Sequence, residues 1–157
     1  SENNNLSFVD RRSKKSLEDF TLVSTTEDGK QEVFYFDPKT HDENADFSMP
    51  NLSSVDKLKN LLKSDNQRLV NVFVSYVIQG NLVSIRNIEV KYIWELDFSI
   101  LRIGSLGKGQ LQISDMKKGL TFTNEGKESW YGKLKLLVNH YHQDQIKRIE
   151  KEKLKWL

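Results

Sequence analysis

The dipeptide Asp28-Gly29, set between two apolar segments, constrains the fold of this chain more than any other feature. Asp-Gly favours the left-handed backbone conformations that a two-residue β-turn requires. The flanking segments, roughly residues 19–24 and 31–37, have the apolar and aromatic composition of strands. They predict an antiparallel hairpin that runs to the turn and back, so that its two open ends meet at one edge of the sheet.

Charged side chains lie at this open end of the predicted hairpin. Asp19 stands at the start of the first strand, and the second strand ends in Asp37-Pro38-Lys39. Two carboxylates and a lysine gathered at one sheet end are suited to hold Mg²⁺ and to organise phosphodiester hydrolysis. The alternative is a solvated strand end, because Asp-x-Lys is a weak motif in a chain with 29% charged residues.

The composition restricts the class of protein. With 157 residues, the chain is expected to form one domain over residues 17–157, preceded by a mobile polar and basic leader at residues 1–16. The sequence contains no cysteine, which excludes disulfides, a thiol nucleophile and Cys-based zinc sites. It shows no apolar run of membrane-spanning length and no signal peptide, so we expect no membrane contact and a cytoplasmic location. Because the net charge is only +2, a nucleic-acid surface would depend on local arrangement.

A polar loop at residues 41–48 and a helix are predicted after the hairpin. Ser53 or Ser54 is the predicted N-cap of this helix. Its apolar residues recur at helical spacing on one face, namely Val55, Leu58, Leu61 and Leu62. The spacing therefore predicts an amphipathic helix that ends near Asp65.

The second half of the chain predicts further strands and a long terminal helix. Residues 69–78 form an apolar run that predicts a strand, whereas the period leaves residues 90–96 open between strand and helix. A helix is predicted from about Glu128. Its apolar stripe is either core or a partner contact and consists of Trp130, Leu134, Leu137, Tyr141, Ile146 and Ile149.

Residues 110–113 alternate Gln-Leu-Gln-Ile, which predicts a short strand with Gln110 and Gln112 on one face. The Gly-rich residues 104–109 lack the spacing of a phosphate-binding loop and lead into a strand, which argues against a nucleotide site. Lys108, Gln110 and Gln112 are suited to contacts with base edges in the major groove. The alternative is an ordinary Gly-rich turn.

The ordered set of motifs resembles the PD-(D/E)xK nuclease superfamily, and within it the type II restriction endonucleases. The resemblance covers roughly residues 17–157 and includes Asp19, Asp37-x-Lys39-Thr40, Pro50-Asn51, Gln110-x-Gln112 and a terminal helix led by Trp130. It implies an α/β fold with a restriction-endonuclease-like central mixed β-sheet flanked by α-helices.

The resemblance also implies a function. A protein of this kind would be a Mg²⁺-dependent endonuclease that binds double-stranded DNA as a homodimer and cleaves it at a short specific sequence. Asp19 and Asp37 would ligate the metal together with the backbone carbonyl of Pro38, and Lys39 would orient the attacking water and offset charge on the phosphate. Glu18 and Asp28 are alternatives to Asp19 as the first acid.

The DNA contacts implied by the resemblance lie in two segments, one before the first helix and one late in the chain. They are Ser48, Asn51, Lys108, Gln110 and Gln112. A rival interpretation is a non-catalytic DNA-binding or assembly domain, or a subunit, that keeps the nuclease fold. Metal binding distinguishes the two, since the rival needs no ion at Asp19 and Asp37.

Overall fold

The structure, a computed structural model, describes residues 5–9, 19–45, 50–104, 109–114, 116 and 119–156. Within these ranges the chain is a mixed α/β arrangement of two sheets and two α-helices. The larger sheet contains β1 (Asn5–Val9), β2 (Phe20–Thr25), β3 (Gln31–Asp42), β5 (Gln67–Gln79) and β6 (Leu82–Tyr92), and the smaller contains β4 (Asn51–Ser54), β7 (Leu101–Gly104) and β8 (Gln110–Ile113). The helices are α1 (Val55–Lys63) and α2 (Lys127–Leu154).

The larger sheet has the strand order β1-β2-β3-β5-β6. Its β3 and β5 are parallel, and its other neighbours are antiparallel. The parallel pair is joined by a crossover that contains β4 and α1, as a parallel connection requires. The predicted hairpin is confirmed by the pairing of β2 with β3, but its connection is longer than the predicted two-residue turn. The Gly29 N–H donates to the Thr26 carbonyl oxygen at 2.9 Å, so Gly29, with a φ of 77°, follows a turn centred on Glu27 and Asp28.

Two local predictions differ from the structure, and a segment that the sequence leaves open is settled by it. The sequence predicts a loop at 41–48, but His41 and Asp42 belong to β3 because a long β5 pairs with it residue by residue; residues 43–45 are not strand, and residues 46–48 lie outside the described part of the chain. Residues Asn5–Val9, within the expected leader, form β1 and pair with β2, so this part of the chain belongs to the sheet. The open segment 90–96 divides: β6 ends at Tyr92, and Ile93–Glu95 forms a short 3-10 helix.

Helix α1 has the predicted cap and apolar face. Ser54 is its N-cap, and the hydroxyl oxygen of Ser54 accepts a hydrogen bond from the Lys57 backbone N–H at 3.4 Å. Leu58, Leu61 and Leu62 are buried. Their burial holds α1 against β5 and α2, so the crossover is fixed beside the parallel strands.

Helix α2 packs mainly through its first half. Trp130 and Leu134 are buried, and the Trp130 indole N–H donates a hydrogen bond to the Leu96 carbonyl oxygen at 2.8 Å. Ile146 and Ile149, later in the predicted stripe, are exposed. The beginning of the stripe is therefore core, and its end is not covered by the described part of the chain.

The main apolar core lies between one face of the larger sheet, the two helices and the smaller sheet. Its fully or nearly fully buried members include Leu58, Leu61, Leu69, Phe73, Ile93, Leu96, Leu111, Ile113, Trp130 and Leu134. Of the helices in the described part of the chain, none has the length and apolar composition that crossing a bilayer requires.

Candidate functional site

The open end of the β2–β3 hairpin brings Asp19 and Asp37 together, as the sequence predicts. The pairing of β2 with β3 begins at Phe20, which lies opposite Phe36. The Asp19 backbone N–H donates to the Phe36 carbonyl oxygen at 3.0 Å, so Asp19 is tied to the end of the hairpin one residue before β2 begins. Asp37 follows Phe36 directly, which places both carboxylate-bearing residues at one end of the hairpin.

Asp37 belongs to the face of the sheet that carries the core. The rings of Phe20 and Phe36 stack on the opposite face, with centroids 5.0 Å apart. Since successive side chains in a strand alternate between faces, Asp37 is directed to the other side. Asp37 is only 6% exposed, whereas Asp19 is exposed.

Lys39 lies two residues beyond Asp37 and therefore on the same face of β3. Its ammonium Nζ is 2.7 Å from Asp37 Oδ1, and the side chains of Lys39 and Asp37 are only 20% and 9% exposed. A carboxylate buried to this degree is costly unless a cation or hydrogen-bond donors compensate it. The Lys39 ammonium supplies that compensation. The sequence predicts that the strand ends at Asp37-Pro38-Lys39, but β3 continues to Asp42, so the pair puts a positive and a negative charge side by side within β3, where its neighbour β2 ends.

Pro38 contributes a backbone oxygen at the same place. The Phe36 carbonyl points towards β2, where it accepts from Asp19, and backbone groups two residues apart along a strand point to the same side. The Pro38 carbonyl therefore points towards the β2 side beyond the last register pair, at Phe20. Proline has no N–H to donate, which suits it to this open strand edge.

These residues fit a magnesium ion. The carboxylates of Asp19 and Asp37 and the carbonyl of Pro38 are the hard oxygen ligands that Mg²⁺ prefers, usually with several waters. The described residues contain no cluster of three or more His, Cys, Asp or Glu side chains placed to hold a metal by themselves. A cation bound beside Asp37 would therefore depend on the Pro38 carbonyl and on water to complete its coordination.

Asp28 and Glu18 are the two alternatives to Asp19 as the first acid, and the structure describes only Asp28. Asp28 lies at the turn, the far end of the hairpin, where its carboxylate is 2.7 Å from the Lys30 ammonium. This pairing, together with a hydrogen bond from Thr26, lowers the pKa of Asp28 from its ordinary value. Its position excludes Asp28 from the Asp37 end, and Glu18 lies outside the described residues.

Two buried polar residues near Asp37 were not predicted as site residues. Asn71 is fully buried on β5, directly opposite Asp37 in the parallel register. His41 is buried on β3, on the same face as Lys39, and borders a cleft of about 450 Å³ lined also by Ser75, Glu89 and Phe122. The sequence signal for Asn71 is an amide within an otherwise apolar strand.

Three of the residues expected to contact DNA lie on the smaller sheet, namely Asn51, Gln110 and Gln112. Strands β4 and β8 are antiparallel, and Asn51 lies opposite Gln112 while Ser54 lies opposite Gln110. The Gln112 side-chain Nε2 donates to Asn51 Oδ1 at 2.6 Å. This pairing occupies the Asn51 oxygen and holds its amide group at the exposed end of β4.

Gln112 differs from the expectation of a base contact. Its side chain is only 5% exposed and lies over Gly104, where an added Cβ would overlap with the Gln112 amide. Gln112 therefore supports Asn51 instead of facing solvent itself. Gln110 is half-buried, and Ser48 and Lys108 lie outside the described residues.

The chain matches no protein-family model, and a search of curated proteins finds no significantly similar protein. Two regions of the described chain have side chains suited to a function. One is the Asp37 end of the hairpin, with a buried acid, a lysine and a backbone carbonyl. The other is the β4–β8 pair, with its exposed amide.

Proposed function

We propose that this chain is a type II restriction endonuclease, which cleaves double-stranded DNA at a short specific sequence with Mg²⁺. In this proposal, its larger sheet is the central sheet of a restriction-endonuclease-like fold. The observation that carries the proposal is the buried Asp37–Lys39 pair, which lies where β3 continues beyond the end of β2, at the open end of the hairpin near Asp19. Stability alone does not account for this burial, because the cost of removing two charges from water often exceeds what their pairing returns.

Each residue at the open end of the hairpin has a distinct role in this proposal. Asp19, Asp37 and the Pro38 carbonyl would hold the Mg²⁺, which supplies charge stabilisation at the phosphate and lowers the pKa of water. Lys39 lies within reach of Asp37 and carries a positive charge for the phosphate oxygens. It also orients the attacking water through its N–H donors, so that attack occurs from a fixed direction.

The smaller sheet supplies the sequence reading in this proposal. Asn51 is exposed on β4, and its Oδ1 is engaged by Gln112. The Asn51 NH₂ group is left to donate to acceptors on base edges, such as purine N7 in the major groove. A side chain fixed before binding loses less conformational freedom on contact with DNA, which favours specificity.

A homodimer follows from the symmetry of the reaction. One chain has one Asp19, Asp37 and Lys39 set, so two copies related by a two-fold axis are needed to cut both strands of a palindrome in one event. The apolar face of α1 is buried in the core and is not available for this contact. Trp156, after α2, is 89% exposed and is the more accessible candidate for a partner surface.

The test of the proposed function is incubation of the purified chain with phage DNA and Mg²⁺, followed by sequencing of the ends. We expect discrete fragments whose ends share one short two-fold symmetric sequence, because a symmetric dimer reads a symmetric site. Fragments with random ends would contradict specificity. Nicks without double-strand breaks would contradict the homodimer and indicate a partner subunit.

A non-catalytic DNA-binding or assembly subunit is the second candidate. It is favoured by the lack, among the described residues, of a cluster of three or more ordinary metal-ligating side chains. Calcium titration of the chain distinguishes the nuclease from the subunit, because only the nuclease needs a divalent-cation site. Ca²⁺ binds to oxygen ligands, and its binding can be measured without DNA cleavage. Binding that is lost in Asp37→Asn supports the nuclease, whereas DNA binding with no divalent-cation site supports the subunit.

Substitution of Asn51 is expected to impair discrimination between DNA sequences. In Asn51→Ala, we expect the free-energy difference between the preferred site and its one-base variants to fall by roughly 1–3 kcal/mol. Gln112→Ala is expected to act in the same direction with a smaller effect, because Asn51 keeps its amide but loses its fixed orientation. The measurement is a series of binding constants in Ca²⁺ across variant duplexes.

Asn81 provides a matched control for that series, since it is an exposed asparagine at the β5–β6 turn. Asn81→Ala should leave both affinity and discrimination unchanged. A uniform loss of affinity in Asn51→Ala across all duplexes would show that Asn51 contacts the DNA backbone. That result would contradict its role in reading bases.

A further inference from the structure

Asn71 is a polar residue whose burial the fold alone does not explain. It is fully buried in the middle of β5, between Val70 and Val72. Neither its Oδ1 nor its Nδ2 has a hydrogen-bond partner among the described residues. Burying an amide without partners is unfavourable, and an apolar side chain of similar size would avoid that cost. An amide in this position therefore indicates a hydrogen bond that forms only when the protein works.

The register identifies the partner in that hydrogen bond. β3 and β5 are parallel, and Asn71 lies directly opposite Asp37. Register partners point to the same face of a sheet, and neighbouring strands lie about 4.8 Å apart. The Asn71 Nδ2 group is thus within hydrogen-bonding range of the Asp37 carboxylate after a rotation of either side chain.

We propose that Asn71 is a positioning residue that donates a hydrogen bond from Nδ2 to the Asp37 carboxylate when Asp37 serves as a metal ligand. The proposal rests on the function proposed above. The Lys39 ammonium now lies 2.7 Å from Asp37 Oδ1, and in the reaction it must turn towards the phosphate and the attacking water. Asn71 then becomes the donor that keeps the carboxylate oriented.

Asn71 is suited to this task because it is neutral and held by the sheet. A second lysine in its place would compete with a cation for Asp37, whereas an amide donor orients the carboxylate and leaves its charge available. Carboxylates that ligate metals are in general hydrogen-bonded by outer residues, whose loss typically costs about 10–100-fold in metal affinity. The same range is the effect expected here.

The experiment compares calcium affinity and stability in Asn71→Leu and in the wild-type chain. By calorimetry, we expect Asn71→Leu to bind Ca²⁺ about 10–100-fold more weakly. Without divalent cation, the variant should melt at the same temperature as the wild type or higher, because leucine removes a buried amide that lacks partners among the described residues. A purely structural amide would give the opposite result, a lower melting temperature with unchanged affinity, and would overturn the proposal.

Ser75→Ala is the matched control, since Ser75 lies on the same strand and face as Asn71 but bonds to Glu43 and lies opposite His41. It should leave Ca²⁺ affinity unchanged. If Ser75→Ala weakened Ca²⁺ binding as much as Asn71→Leu, the loss would be a general effect of changes in β5, and the specific role of Asn71 would be contradicted. Wild-type affinity in Asn71→Leu would overturn the role of Asn71 and leave the nuclease proposal standing. A wild-type chain that binds no divalent cation would overturn both.

A measurement on the wild-type chain covers the case in which Asn71→Leu does not fold. With ¹⁵N-labelled asparagine, the Asn71 side-chain NH₂ signals should shift on Ca²⁺ saturation, and their exchange with solvent should slow. The shift should be absent in Asp37→Asn. Asn71 signals that stay unchanged at saturating Ca²⁺ would contradict the proposal.

Discussion

Lys39→Ala is expected to abolish DNA cleavage while DNA binding persists. The Lys39 ammonium is the positive charge next to Asp37, and its proposed work is to orient the water and to stabilise charge on the phosphate. Loss of one such group lowers the rate by roughly 10²–10³-fold, and each ~1.4 kcal/mol of lost stabilisation is a factor of ten. Cleavage under single-turnover conditions with excess enzyme measures this loss directly.

Stability is a confounding factor in this variant, because removing Lys39 leaves the buried Asp37 without its ammonium partner. Breaking a well-buried pair costs about 3–5 kcal/mol, and the 20% exposure of Lys39 reduces that cost. Melting with and without Ca²⁺ identifies an unfolded sample. Lys39→Met retains much of the apolar stem and gives a second variant with the same expected loss of rate.

Lys30→Ala is the matched control for Lys39→Ala. Lys30 also pairs with an aspartate, Asp28, at 2.7 Å, but at the exposed turn of the same hairpin. Its replacement should leave the cleavage rate within about twofold, since exposed pairs contribute little. A cleavage rate of Lys39→Ala within tenfold of the wild-type rate would contradict the role of Lys39 in orienting the water and stabilising the phosphate charge.

The local features of this fold were accessible from sequence, because they depend on short-range chemistry. The Asp28-Gly29 turn fixes the β2–β3 hairpin, and the hairpin alone determines that Asp19 and Asp37 share one end. The helix α1 follows likewise from Ser54 and an apolar spacing. Each of these predictions needed only residues close together in the chain.

The neighbours of Asp37 across the sheet were not accessible, because they depend on contacts between distant segments. The parallel pairing of β3 with β5 sets Asn71 opposite Asp37, and no local pattern specifies a parallel register. The same pairing carries β3 through His41, where polar composition predicted a loop, because a long partner strand outweighs weak local propensity. Gln112 and Asn51 were each predicted, but their hydrogen bond required the β4–β8 register.

Asp37→Asn is expected to eliminate metal-dependent cleavage and the binding of Ca²⁺. An amide is close in shape to a carboxylate but is neutral, and a neutral amide is a poor replacement for a charged oxygen ligand of a hard cation. We expect the cleavage rate to fall by at least roughly 10²–10³-fold, the loss found for other groups that stabilise charge in the transition state. DNA binding without divalent cation should be retained, because Asp37 is buried and does not form part of the β4–β8 surface.

Asp28→Asn controls for the loss of one negative charge from the hairpin. Asp28 lies at the opposite, exposed end, so its replacement should change neither Ca²⁺ affinity nor cleavage. Ca²⁺ should support DNA binding by the wild type without turnover, and Mg²⁺ should restore cleavage. Equal activity of the wild type in a chelator and in Mg²⁺ would contradict the metal role of Asp37. It would also contradict the nuclease proposal, since Lys39 alone cannot supply the charge stabilisation that phosphodiester hydrolysis demands.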